Sequence, residues 1–155
     1  MKRRTFVAGL GSAAAWPVVA RAQQPDRMRR IGVLISGDEN NPLNKSGVSA
    51  FTQALADLGW TVGRNVRMDR RWAGGDGNRM RTFAQELVGR QPEIIVTIGS
   101  TPATVALQRE TRTIPIVFTS VTDPVASGIV PRLDRPSGNI TGFASLGSLT
   151  GKQVA

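Results

Sequence analysis

The chain is expected to fold as an α/β domain built on an open parallel sheet flanked by helices, and three features of the sequence carry that expectation. Ile94-Ile95-Val96-Thr97-Ile98 is an unbroken, largely β-branched run without polar alternation, as in a strand buried on both faces of a parallel sheet. It runs directly into Gly99-Ser100-Thr101-Pro102-Ala103, where glycine allows a sharp turn, a hydroxyl can cap a helix and proline suits the first helical position. Strand-like and helix-like segments alternate along the rest of the chain, the pattern of right-handed βαβ crossovers.

Taken in order, Ile31-Gly32-Val33-Leu34-Ile35 is the first buried strand and ends in the loop Ser36-Gly37-Asp38. A helix is expected from about Leu43 to Leu58, with Val48, Phe51, Leu55 and Leu58 on one stripe and Gly59 as its stop. Val66, Met68, Arg70 and Trp72 alternate with polar neighbours, which predicts an edge or half-exposed strand. Residues 73–78 form a glycine-rich connector without the Gly-Lys-Ser/Thr ending of a phosphate loop. A second helix, roughly Asn78 to Arg90, sets Met80, Phe83, Ala84, Leu87 and Val88 at helical spacing as core residues. The Ile94 strand follows, then a short helix to about Glu110, and a fourth strand from Ile114 to Ser120. Asp123-Pro124 is expected to open a further helix, with Asp123 as N-cap, before a short fifth strand at Asn139 to Phe143. Gly147 to Gln153 is one residue short of a phosphate loop and lacks its final hydroxyl, so Leu149 to Ala155 reads as the first turn of another helix.

Composition narrows the chemistry. In 155 residues there is no cysteine, histidine or tyrosine, which removes disulfides, thiolate metal sites and the commonest general base. With three lysines and no evident carboxylate pair in a pocket loop, the chain is not expected to be an enzyme, and neither a cofactor nor a metal is expected. The formal charge of +9 includes Lys2, Arg3, Arg4 and Arg21 of a segment expected to be removed; without them 16 basic residues face 11 acidic ones, or +5. The remaining arginines are scattered, without interleaved aromatics, so they form a solvated face and no nucleic-acid partner is expected.

Residues 1–22 carry a basic start, an apolar stretch from Phe6 to Ala20, and small residues at Ala20-Arg21-Ala22. That layout is a secretory signal peptide cleaved after Ala22, with a periplasmic mature protein as its consequence. Arg3-Arg4-Thr5-Phe6-Val7 resembles the twin-arginine signature, while the general secretory route stays open. Pro17 and the short apolar length argue against a membrane anchor. Gly9-Leu10-Gly11-Ser12-Ala13-Ala14 matches a dinucleotide fingerprint in letters only, since no strand precedes it.

In an open parallel sheet ligands sit beyond the carboxyl ends of the strands, where successive connections leave in opposite directions. With a flavodoxin-like strand order 2-1-3-4-5, that point lies between strands one and three. It is bordered by Ser36-Gly37 and Gly99-Ser100-Thr101, with Thr122-Asp123 close by. Hydroxyls and helix N-termini suit a carboxylate, and Asp123 suits an ammonium, so a zwitterion such as an α-amino acid would satisfy both. Each of these residues could equally serve only as a local cap.

Several stretches in order strengthen one reading: Arg30 to Leu34, Ile94 to Ala103, Ile114 to Phe118 running into Val121-Thr122-Asp123-Pro124-Val125, and Gly138-Asn139-Ile140-Thr141-Gly142. Together with the exported start they resemble the ABC-transporter substrate-binding proteins of the tryptophan/tyrosine-uptake type. The resemblance implies a lobe of a two-lobed periplasmic binding protein of the type I class, acting as a monomer that captures a small solute, such as an amino acid, for an inner-membrane ABC permease. It also implies that the ligand loops fall on Ser36, Ser100, Thr101, Thr122 and Asp123. Members of that family are about twice as long, so residues 23–142 are expected to be the N-terminal lobe and residues 143–155 a hinge and the start of a second lobe. One lobe of a clamshell supplies about half the contacts, from which weak or absent binding is expected. Two other functions remain: a ligand-sensing domain that recruits a membrane receptor, and a small α/β enzyme using Asp123 with Ser100, which lacks a third orienting group. Trp60 and Trp72 fall in none of the expected ligand loops.

Overall fold

A computed structural model of the protein describes residues 27–136 and 138–145. The expected signal peptide at 1–22 and the expected helix turn beyond Leu149 lie outside the described residues. The elements are β1 (Arg29–Ile35), α1 (Pro42–Asp57), β2 (Val66–Trp72), α2 (Gly77–Gly89), β3 (Ile94–Ile98), α3 (Thr101–Glu110), β4 (Ile116–Val121) and β5 (Ile140–Ala144). All neighbouring strands pair parallel in the order β2-β1-β3-β4-β5. This is the architecture and the strand order expected from the sequence.

The two faces of the sheet follow from the alternation along β1. Val33 and Ile35 point to one side and pack with Val48 and Phe51 of α1, Met68 and Trp72 of β2, and Ile98 of β3. Leu34 points to the other side and joins Ile95, Ile116, Phe118 and Ile140 under Ala84 and Leu87 of α2 and Ala103 and Leu107 of α3. Gly32 lets α2 lie close: a Cβ there would sit 3.4 Å from Leu87 and 3.3 Å from Ile95. The exposed positions of β2 fit its place at the edge of the sheet.

The chain after β4 departs from expectation. No helix follows Asp123; residues 124–128 form successive turns instead. Asp123 has φ +43, left-handed rather than the extended backbone of an N-cap, and its carboxylate accepts the Ala126 N–H at 2.9 Å. The Ile129 and Val130 amides both bond the Pro124 carbonyl, folding the segment back so that Ile129 and Val130 plug the core beside α3. Those two apolar residues do the covering that a further helix would have done. At the other end of the segment β5 extends through Ala144, so Phe143 and Ala144 are strand residues paired with β4.

Candidate functional site

Parallel strands bring all their carboxyl ends, and the N-termini of the helices that follow, to one edge of the sheet. Asn41 caps α1 there, Asp76 caps α2, and Ser100 caps α3. The loops after β1 and β3 are laced together. The Ser36 amide donates to the Ile98 carbonyl at 3.1 Å, and the Ser36 hydroxyl donates to the same carbonyl at 3.3 Å. Gly99 has φ +100, and a Cβ on it would come within 2.8 Å of Ser36 Oγ, so both the turn and the contact demand glycine. The loop after β2 joins from the other side: the Gly74 amide bonds the Gly37 carbonyl at 3.0 Å and the Gly75 amide the Ser36 carbonyl at 2.6 Å.

Ser36, Gly37, Gly99, Ser100 and Thr101 are therefore brought together as the sequence implied. Thr122 and Asp123 lie at the end of β4, the next strand over from β3, and both are exposed. Backbone strain gathers at this end, where Ser120 (φ +57) and Asp123 (φ +43) both take left-handed conformations that non-glycine residues rarely adopt.

Ser100 Oγ accepts the Ala103 N–H at 3.4 Å, which leaves its own proton free to donate outward. The hydroxyl of Thr101, the first residue of α3, has no protein partner among the described residues. The residues beneath were not singled out in the sequence. Thr97 and Thr104, both fully buried, share a hydrogen bond of 2.8 Å, and the Thr104 hydroxyl also reaches the Ser100 carbonyl at 3.1 Å. A hydroxyl has one proton, so Thr104 donates to Ser100 and accepts from Thr97, a relay that braces the α3 cap from inside the core. A threonine within an apolar strand, followed seven residues on by another in the first turn of the next helix, was the available signal.

The carboxyl edge also holds a cavity of about 190 Å³ beside the β1 and β2 loops, lined by Asp38, Glu39, Asn40, Trp72, Gly74 and Arg79. Asp76, the N-cap of α2, is held below the ordinary carboxylate range because it accepts the backbone N–H groups of Arg79 and Asn78. A second cavity, about 320 Å³, lies at the amino end of the sheet between Trp60, Leu55, Ile31 and the Arg29–Glu93 ion pair. That end receives none of the helix N-termini. Among the described residues no cluster of three His, Cys, Asp or Glu side chains could hold a metal ion.

Comparison with known proteins agrees with this fold. The family described as ABC transporter substrate binding protein matches residues 29–154. A tyrosine-binding protein of Clostridioides difficile (strain R20291) is 32% identical over 120 residues, covering 77% of this chain and 34% of its own length. A ligand-free, open substrate-binding protein with adhesive properties from Clostridium difficile superposes with a TM-score of 0.73 at 30% identity, over 79% of this chain and 40% of that one. An ABC domain from Streptococcus pneumonia in complex with L-Trp gives a TM-score of 0.69 at 28% identity, over 76% and 38%. The chain thus spans about a third to two fifths of the length of these relatives, the extent of a single lobe. By its sequence from Arg29 onward and by its fold, the chain belongs to the ABC transporter substrate-binding protein family.

Proposed function

We propose that this lobe forms one wall of a solute site in a periplasmic binding protein that delivers a small α-amino acid to an inner-membrane ABC permease. The observation that carries the reading is the division of hydrogen-bonding polarity along the carboxyl edge. Ser100 and Thr101 offer free hydroxyl protons at the N-terminus of α3, where the helix dipole adds to the attraction for a carboxylate. Ser36 has its proton engaged with Ile98, so it presents lone pairs, and Asp123 presents a carboxylate. Donors beyond the central strand β3, flanked by acceptors beyond β1 and β4, suit a carboxylate and an ammonium on the same molecule. The tyrosine-binding relative and the relative bound to L-Trp support an amino acid, and within it an aromatic one. The basic, apolar and small-residue zones of residues 1–22 support export, with Arg3 and Arg4 directing the twin-arginine route and cleavage following Ala22.

A lobe that supplies one wall binds more weakly than a closed clamshell, so we expect millimolar affinity for this chain. The test is a titration of the chain with L-tyrosine, tyramine and N-acetyltyrosine, followed by chemical-shift changes. Saturable binding of tyrosine, lost with either modified compound and lost in Ser100→Ala, supports the reading. Equal binding of tyramine, or tyrosine binding that survives Ser100→Ala, contradicts it.

A further inference from the structure

We propose that Trp72 and Arg79 form the subsite that receives the solute's side chain, and that they select an aromatic ring with a hydrogen-bond acceptor at its tip. The inference rests on the proposed amino-acid site and extends it along the sheet edge. Trp72 is the last residue of β2 and pairs in register with Ile35, so it stands at the carboxyl end immediately beside Ser36. Trp72 is half-buried: it packs against the cluster of Val33, Ile35 and Val48, and it also lines the cavity of about 190 Å³. β3, β1 and β2 are consecutive in the sheet, so the line from Ser100 to Trp72 crosses two strand spacings, roughly 9.5 Å. An aromatic amino acid whose carboxylate meets Ser100 places its ring at that distance, and an aliphatic one falls short.

Arg79 supplies the polar end. Its Nη2 donates to the Trp72 carbonyl at 3.0 Å, and its guanidinium carbon stands 5.4 Å from the Phe83 ring centroid. Two contacts thus hold the group against the cavity wall. Among the described residues no carboxylate lies within salt-bridge distance of Arg79, whereas Arg71 of β2 and Arg90 at the end of α2 are paired with Glu86 and Asp69. A positioned guanidinium with unspent N–H groups and an indole lining the same cavity make a recognition pair for a ring bearing an oxygen. Asp38 and Glu39, which also line the cavity, disfavour an acidic side chain in it.

The experiment uses the chain with Trp16→Phe and Trp60→Phe, so that Trp72 is the only indole, titrated with L-tyrosine, L-phenylalanine and L-leucine. Tyrosine is expected to change Trp72 emission saturably and leucine to leave it unchanged. Adding Arg79→Gln is expected to weaken tyrosine about tenfold while leaving phenylalanine within about twofold. Trp72→Leu, followed by tyrosine chemical shifts, is expected to weaken both aromatic ligands roughly three- to tenfold. Should Trp72→Leu fail to fold, the Arg79→Gln comparison and the Trp72 emission still decide. Tyrosine binding that Ser100→Ala abolishes but that leaves Trp72 emission and the Arg79→Gln affinity unchanged overturns the subsite and spares the amino-acid site. Absence of amino-acid binding to the parent chain overturns both.

Discussion

Replacing Thr104 by valine is expected to cost more stability than replacing Thr97, although the two threonines are bonded to each other and equally buried. In Thr97→Val the Thr104 hydroxyl keeps its bond to the Ser100 carbonyl, and only one neutral hydrogen bond disappears, about 1 kcal/mol. In Thr104→Val the Thr97 hydroxyl loses its acceptor at a site with no exposure, and Ser100 loses its brace. An unsatisfied buried donor costs about 1–3 kcal/mol, so the total is about 2–3 kcal/mol. The double valine variant removes both polar groups and keeps both shapes, so its cost falls below the sum of the singles by about 1 kcal/mol or more. Urea unfolding of the four proteins measures this, with the slope on denaturant unchanged as the control on two-state behaviour. Equal single-variant costs, or strict additivity, would refute the relay and its direction.

Other consequences follow from the same structure. Gly142 pairs with Phe118 so closely that a Cβ would overlap the Phe118 carbonyl oxygen, and Gly142→Ala should lower stability by about 1–3 kcal/mol in a thermal scan; an unchanged midpoint would mean β5 does not pair there. Gly99→Ala combines an unfavourable φ with a clash against Ser36, so it should cost about 1 kcal/mol or more and, unlike Gly142→Ala, weaken solute binding as well. Asp76 has a lowered pKa in the folded chain, so its contribution is complete above the ordinary carboxylate value of about 4 and is lost as pH falls through its lowered value. Acid unfolding of Asp76→Asn should therefore be flatter than wild type below that pH, and parallel acid curves would remove the cap from the account.

The fold was legible because its signals are local and redundant. The uninterrupted run Ile94–Ile98 announced a strand covered on both sides, and the alternation in Val66–Trp72 announced an edge strand, both as found. The Ser100 cap was legible because its geometry depends on a few adjacent residues. Asp123-Pro124 misled for the opposite reason. The pair carries a helix-start signal, but Ile129 and Val130 bury themselves beside α3, and that tertiary packing turns the chain before a helix can form. Trp72 was placed correctly in its strand but not near the expected ligand loops, because its proximity to Ser36 comes from register between β1 and β2. Arg79 lies seven residues further on, and only the bond from its side chain to the Trp72 carbonyl brings the two together. The Thr97–Thr104 relay likewise joins a strand to the next helix through the core, where sequence spacing carries little information.

The central claim, that the carboxyl edge of this sheet is the amino-acid site, is tested most directly by mapping backbone amide shifts during a titration with L-tyrosine. The account predicts that Ser36, Gly37, Gly99, Ser100, Thr101, Thr122 and Asp123 respond together with one dissociation constant, while the cavity around Trp60 and Glu93 stays silent. Shifts gathered around Trp60, or none at the carboxyl edge while tyrosine binds, would contradict it.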